Sequence, residues 1–180
     1  MERGRNHSPL TGEPITVLPF SRDGKTGRAL IVHSPGNDSL EVILRGALAD
    51  GLRTRGWQID ITALTSNLTP STDYYDLVVL AAPVHVGHAA RLLLDYADHA
   101  PGLSGKPVFL VLVGSAHTAE AMTELRNHVA AAGCNILEAI ELDVGEAELT
   151  SSKVHDLEAV MRRAAERLAF VRRPIAARTY

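Results

Sequence analysis

Short apolar runs alternate with amphipathic segments along most of this chain, and this alternation constrains the fold more than any other feature. Pro107–Gly114 is the strongest apolar run and shows no polar alternation, which is typical of a strand covered on both sheet faces. Residues 38–55 instead space their leucines and isoleucine for one buried helical face. Repeated strand–helix alternation indicates a parallel sheet with helices on both faces.

The same patterns predict five strands and four helices. Strands are expected at 29–33, 57–64, 77–82, 107–114 and 135–144, and helices at 38–55, 87–99, 119–132 and 150–171. The polar stretch 67–73 is the one connection without a clear helical pattern, and Pro83 is expected to end the third strand. The inward positions of the last helix are predicted to be Val154, Leu157, Val160, Met161, Ala164 and Leu168.

The two ends of the chain lack this periodicity. Residues 1–27 are rich in Pro, Gly, Arg, Ser and Asn, and we interpret them as a flexible arm before a single domain at 28–171. Within the arm, residues 15–20 could form an edge strand or dock against a partner subunit. Residues 172–180 are interpreted as a loose basic tail.

Composition excludes several classes of protein. The 180 residues carry a net charge of −3, which gives no basic excess for a nucleic-acid partner. The single cysteine, Cys134, rules out an intramolecular disulfide and any multi-cysteine metal site. The longest apolar stretch, 108–113, is too short to span a bilayer, and no signal peptide opens the chain. We therefore expect a cytoplasmic protein without membrane partners.

Ligands of open α/β sheets bind outside the carboxyl ends of the strands. We therefore look for candidate functional residues in the loops that follow three of the predicted strands. The first loop leads from a strand into a helix and offers hydroxyls, small residues and a helix N-terminus, which suit a phosphate. It lacks Lys and Arg, which favours a monoester over a nucleoside triphosphate; an ordinary capped turn is the alternative. Its candidate binding residues are Ser34, Gly36, Asn37, Asp38 and Ser39.

The second and third loops carry glycines that allow a flat ligand to approach the backbone. Their candidate residues are Pro83, Val84, His85, Val86, Gly87, Gly114, Ser115 and His117. Four histidines fall near these loops: His33, His85, His88 and His117. They could bind a metal, contact a ligand as proton donors, or be ordinary polar residues, and the metal is disfavoured because no carboxylate or cysteine stands at ligand spacing with them. No residue is assigned a catalytic role.

The order and spacing of these loops resemble the NADPH-dependent FMN reductase family of the flavodoxin-like superfamily. The resemblance covers about residues 28–145, with His85 where that family usually has Tyr. Its pieces are Ser34-Pro35-Gly36-x-x-Ser39-Leu40, Asp76-Leu77-Val78-Val79-Leu80, Pro83-Val84-His85-Val86-Gly87, Leu93-Leu94-Asp95, Leu103-Ser104-Gly105-Lys106-Pro107-Val108 and Gly114-Ser115.

This resemblance implies a flavodoxin-like three-layer αβα sandwich with a five-stranded parallel sheet in the order 2-1-3-4-5. It implies the FMN phosphate at the first loop, the isoalloxazine ring between the other two, and a homodimer or homotetramer. The implied activity is hydride transfer from NAD(P)H to flavin or a small, quinone-like acceptor. An electron carrier and a flavin-free interaction module remain alternatives. None of the three loops contains Trp, Tyr or Phe, which counts against the carrier and keeps the flavin-free module open.

Overall fold

A computed structural model describes residues 16–17, 27–34, 39–67, 69–144 and 151–168 of the chain. The strands are β1 (Thr16–Val17), β2 (Gly27–His33), β3 (Trp57–Ala63), β4 (Leu77–His85), β5 (His88–Ala89), β6 (Pro107–Gly114) and β7 (Asn135–Asp143). The helices are α1 (Ser39–Thr54), α2 (Arg91–His99), α3 (Thr118–Ala131) and α4 (Ser151–Leu168).

The five long strands form a parallel sheet in the order β3-β2-β4-β6-β7. Counted among themselves along the chain, these strands have the order 2-1-3-4-5, which confirms the predicted topology. The short β1 extends the sheet at its edge, because Thr16 and Val17 pair antiparallel with Ile61 and Asp60. This is the edge-strand position suggested for residues 15–20; the rest of the predicted arm up to residue 26 and the tail at 172–180 lie outside the described residues.

Alternating strand side chains divide the core into two halves. Ala29 and Ile31 of β2 pack with α1 and α4 on one face of the sheet, whereas Leu30 and Val32 pack with α2 and α3 on the other. Each central strand is therefore apolar on both faces, as the continuous apolar runs require. The predicted three-layer sandwich is confirmed.

Two boundaries near Pro83 differ from the sequence prediction. The strand does not end at this proline, because β4 continues to His85 and pairs with the short β5. Pairing between β2 and β4 ends at Ala81, so Pro83 has a strand neighbour only on the β6 side. On the β2 side no ladder remains for its missing N–H to interrupt. The helix expected from residue 87 accordingly begins only at Arg91.

The connection from β3 to β4 contains no helix in its described residues, as its polar composition suggested. Tyr75 covers part of this region instead: its hydroxyl donates to Oδ2 of Asp60 at 2.8 Å. The Arg28 guanidinium also donates to that oxygen at 2.7 Å and lies over the Tyr75 ring. We refer to these three residues as the Arg28–Asp60–Tyr75 cluster.

Two helices pack closely where a glycine removes a side chain. A Cβ on Gly51 of α1 would lie 2.7 Å from the carbonyl oxygen of Arg162 in α4, so this contact requires glycine. In α4, Met161 and Ala164 are buried as predicted, but Val160 is 44% exposed and Ala165 is buried instead. The helix is thus rotated slightly from its expected orientation. No helix among the described residues is both long and apolar enough to cross a bilayer.

Candidate functional site at the carboxyl edge of the sheet

Three neighbouring strands, β2, β4 and β6, deliver the three candidate loops to one edge of the sheet. His33 at the end of β2 is aligned with Ala81 of β4, and Pro83 of β4 is aligned with Val113 of β6. The carboxyl ends therefore lie side by side. We refer to the surface formed by Ser34, residues 83–88 and residues 114–118 as the rim.

The first loop is described only at its ends. Ser34 is buried, and its N–H donates to the Ala81 carbonyl at 3.1 Å, which ties the start of the loop to β4. Ser39 is the first residue of α1, so a helix N-terminus faces this edge. The other candidates in this loop, Gly36, Asn37 and Asp38, lie outside the described residues.

A cation reaches this loop from within α1. The NH1 group of Arg45 lies 2.9 Å from Nδ1 and 3.1 Å from Nε2 of His33, and Nδ1 lies 3.0 Å from the Ser34 carbonyl oxygen. A neutral ring protonated at Nδ1 can donate to Ser34 and accept from Arg45 at Nε2. Sequence reasoning found no Lys or Arg inside the loop, but it missed this one because Arg45 comes six residues later and reaches back toward the helix N-terminus.

The second loop is a tight hairpin between β4 and β5. His85 pairs with His88, and the two residues between them, Val86 and Gly87, have φ of 51° and 78°. A two-residue hairpin turn with positive φ at both positions normally takes Asn-Gly, and a β-branched residue is strained there. The Val86 side chain is also 96% exposed. This residue therefore carries both backbone strain and an unburied apolar surface.

The third loop follows β6 and leads into α3. His117 precedes the helix in the left-handed conformation, with φ of 55°, and its side chain makes no capping hydrogen bond. Within the described part of the chain, the backbone N–H groups of Ser115, Ala116 and His117 donate to no carbonyl. These groups are available to a ligand at the exposed surface of the loop.

The second and third loops touch each other. A Cβ on Gly87 would lie 3.2 Å from Cβ of His117, and a Cβ on Gly114 would lie 2.8 Å from Cβ of Val84 and 2.9 Å from Cγ2 of Thr118. Both glycines thus let the two loops approach. Val86 and His117 are the two non-glycine residues with positive φ in the described ranges, and both lie on this rim. Such strain tends to concentrate at functional sites.

Two histidines on the rim face carboxylates of α3. Nδ1 of His117 lies 3.5 Å from Oε1 of Glu120, and Nδ1 of His88 lies 3.4 Å from Oε2 of Glu124. The pKa of the Glu120 carboxyl is lowered, first because it accepts from its own backbone N–H and then because of its hydrogen bond with His117. Among the described residues, no group of three or more His, Cys, Asp and Glu side chains is arranged to hold a metal ion.

Sequence reasoning gave neither Glu120 nor Glu124 a role in the site and did not include His88 among the candidate binding residues. The missed signal was the spacing of the two glutamates, because residues i and i+4 project from the same side of a helix. The Oε2 atom of Glu124 also lies 3.4 Å from the Ala89 N–H, so this residue links α3 to the hairpin.

The core behind the first loop offers no room for a ring-shaped ligand. A cavity of about 20 Å³ lies between the sheet and α1, lined in part by His33, Arg45, Leu48, Val111 and Met161. That volume is enough for roughly one water molecule. A larger ligand at this edge therefore has to lie on the open rim.

Comparisons with known proteins support the fold. No family model matches the chain, and no curated protein is similar to it in sequence. Among solved structures, a flavodoxin from Streptococcus pneumoniae is 17% identical with a TM-score of 0.57, covering 78% of this chain and 99% of its own. An oxidoreductase from Corynebacterium diphtheriae is 16% identical with a TM-score of 0.60, covering 80% of this chain and 96% of its own.

A third structure, Flavodoxin 2 from Bacillus cereus in its oxidised form, is 15% identical with a TM-score of 0.60, and the match covers 77% of this chain and 99% of that one. All three likenesses extend over nearly the whole of the compared proteins. At these identities they carry the architecture and not a particular family within it. The chain therefore has the flavodoxin-like fold.

Proposed function

We propose that this chain binds FMN on the rim and works as an oxidoreductase that transfers a hydride from NAD(P)H to a small, quinone-like acceptor. One observation carries the proposal. Two strained loops, each with a glycine at its closest approach, meet at the carboxyl edge of the sheet. They present Val86 and the backbone N–H groups of residues 115–117, which have no carbonyl partner among the described residues. In open α/β sheets this edge is where ligands bind.

The chemistry of the described residues fits a flavin. An isoalloxazine ring is flat and largely apolar with a polar edge, so it needs an apolar contact and a few hydrogen-bond partners. Val86 supplies exposed apolar surface, and the N–H groups of Ser115 and Ala116 can donate to the polar edge. The two glycines let the loops that carry these groups lie side by side.

The phosphate end fits as well. A helix N-terminus favours negative charge, and the α1 terminus follows directly on the first loop. Arg45, next to His33, adds a positive charge at the start of that loop. We assign phosphate binding to Ser34, Gly36, Asn37, Asp38 and Ser39, and ring contacts to Pro83, Val84, His85, Val86, Gly87, Gly114, Ser115 and His117.

In this proposal the bound FMN supplies the redox chemistry, and the protein binds and orients it. The rim is open, so a nicotinamide or an acceptor can approach the exposed side of the ring. The Arg28–Asp60–Tyr75 cluster has no part in the reaction. We also propose that the chain forms a homodimer or homotetramer. Light scattering on the purified protein tests this.

Titration of the purified chain with FMN, followed by quenching of flavin fluorescence, tests the binding step. We expect saturable binding that Val86→Asp weakens at least tenfold, because the charge replaces an apolar contact with the ring. Val160→Asp is the matched control: this valine is also exposed but lies on α4, and its substitution should leave FMN affinity unchanged. Equal affinity for all three proteins would contradict the assigned site.

Anaerobic addition of NADH or NADPH to the FMN-loaded protein tests the activity. Bleaching of the flavin absorbance, followed by its recovery when a quinone is added, is the expected result. A bound flavin that only dithionite bleaches would favour the electron carrier, and a chain that binds no FMN would favour the interaction module.

A further inference from the structure

We propose that His117 donates the proton that a quinone acceptor takes up with its hydride, and that Glu120 positions the imidazole for this transfer. This inference rests on the proposed function and adds to it a residue role and a class of acceptor. The structural basis is the conformation of His117 at the start of α3.

A residue at the N-cap of a helix usually uses its side chain to bind the free N–H groups of the first turn. His117 makes no such bond, although it stands directly before α3 in the left-handed conformation. Its ring instead faces Glu120 through Nδ1 at 3.5 Å. The contact leaves Nε2 without a partner among the described residues, and the side chain is 68% exposed.

The position of His117 places that free nitrogen beside the proposed ring site. Its Cβ lies 3.2 Å from the point where a Cβ of Gly87 would be, so His117 stands at the second loop as well as the third. The other described charged groups nearby are His88 on β5 and Glu124 on α3, which face each other. His117 and Glu120 therefore form a pair that is separate from His88 and Glu124.

A histidine paired with a carboxylate is suited to proton transfer near neutral pH. The carboxylate of Glu120 orients the ring through Nδ1. The hydrogen bond with His117 is one of the causes that lower the pKa of Glu120, which keeps this carboxylate charged at neutral pH.

The balance of the reaction requires such a donor. Reduction of a quinone to its hydroquinone adds one hydride, which comes from NAD(P)H in the proposed reaction, and one proton. We assign the proton to Nε2 of His117: its N–H bond breaks as the new O–H bond of the hydroquinone forms. The neutral ring then recovers a proton from solvent. A one-electron acceptor such as ferricyanide takes up no proton and does not need this residue.

The experiment compares two acceptors on the FMN-loaded protein. His117→Asn should lower quinone turnover about tenfold to a hundredfold, at the low end of general-acid effects because the exposed site admits water as a substitute donor. Both rates are compared at saturating FMN, where ferricyanide turnover should fall by a much smaller factor than quinone turnover. Asn tolerates the left-handed conformation, so the loop backbone is preserved. His155→Asn is the matched control, because this exposed histidine also pairs with a glutamate three residues later but lies on α4, and it should leave both rates unchanged.

Two further readouts separate proton donation from a structural role. Quinone turnover of the unsubstituted protein should vary with pH because the reaction consumes a proton, and His117→Asn should alter this pH profile, whereas the pH profile of ferricyanide turnover should stay the same in both proteins. In the flavin-free protein, carboxyl NMR should show the pKa of Glu120 rising toward its ordinary value in the variant, because one of the contacts that lowers it is lost.

Equal loss with both acceptors, or an unchanged quinone rate, would overturn the assignment to His117. A protein that binds no FMN and reduces neither acceptor would overturn the proposed function itself, and this inference with it.

Discussion

The Arg28–Asp60–Tyr75 cluster and the rim both contain ionisable groups in contact, but they differ in every physical respect. Asp60 has a side chain that is 4% exposed, with hydrogen bonds of 2.7 and 2.8 Å to Arg28 and Tyr75. On the rim, His117 and Glu120 are each about two-thirds exposed and 3.5 Å apart. The contacts within the cluster are short, and both reach one oxygen of a buried carboxylate. The contact between His117 and Glu120 is longer and exposed to solvent.

This difference indicates that the buried cluster, and not the exposed pair, stabilises the fold. A buried carboxylate is costly unless its partners remain, so the cluster is needed where the connection between β3 and β4 brings no helix to cover the sheet. An exposed pair at 3.5 Å contributes little to stability. The stability of the fold therefore does not depend on the His117–Glu120 pair.

The two regions also differ in which of their groups has a shifted pKa. The pKa of Tyr75 is raised strongly, first because the phenol is desolvated and then because it donates to Asp60. The shift on the rim, at Glu120, is a modest lowering. The larger perturbation thus belongs to the structural cluster, so the size of a shift does not by itself identify an active site.

The largest expected effect is at Asp60. Asp60→Ala removes the carboxylate that pairs with Arg28 and Tyr75, and we expect it to lower the free energy of unfolding by about 3 kcal/mol. Urea denaturation measures this change. The comparison variant Glu120→Ala should cost less than about 0.5 kcal/mol, because both members of its pair with His117 are about two-thirds exposed. Similar losses in both variants would break the contrast between the two regions.

Tyr75→Phe should have an intermediate effect. It removes a hydrogen bond to a charged acceptor and should cost about 1.5 kcal/mol at neutral pH. Because the pKa of Tyr75 is higher in the folded state, its contribution is fully present below an unfolded pKa of about 10 and is lost as pH rises above that value. The variant should therefore lose less stability between neutral and alkaline pH than the unsubstituted protein, as measured by urea denaturation at each pH.

The smallest expected effect has the opposite sign and lies on the rim. Val86→Asn places a residue that tolerates positive φ in the hairpin turn, and it should stabilise the protein by about 1 kcal/mol while weakening FMN binding. Val160→Asn on α4 tests whether an exposed valine as such is the cause, and it should produce neither change. A destabilised Val86→Asn protein would show that the turn is not strained.

Much of the fold could be predicted because the signals are local. The apolar run at Pro107–Gly114 coincides with β6, and α1 begins one residue from the predicted start. The failures lie where tertiary contacts compete with local preference. Pro83 stays within β4 because β2 has already stopped pairing there, and Val160 is exposed because the close contact at Gly51 sets the rotation of α4.

The placement of the three candidate loops could also be predicted from the sequence. The placement of three loops at one edge follows from strand order, since the carboxyl ends of neighbouring parallel strands lie together. The contact of Gly87 with His117, the reach of Arg45 to His33 and the pairing of His88 with Glu124 join residues far apart along the chain. Local patterns do not predict these contacts. The one partial signal is the i, i+4 spacing of Glu120 and Glu124, which places both carboxylates on the same side of α3.

The amino-acid sequence by itself determined the layered α/β architecture and the edge where a ligand can bind, because hydrophobic periodicity and strand order act through the chain's own connectivity. Only the tertiary structure decided how that edge is shaped. Packing of the hairpin against the loop before α3 holds Val86 and His117 in left-handed conformations and turns the His117 ring toward Glu120. Such strain persists only where surrounding contacts over-determine the backbone, and those contacts exist only once the sheet has assembled.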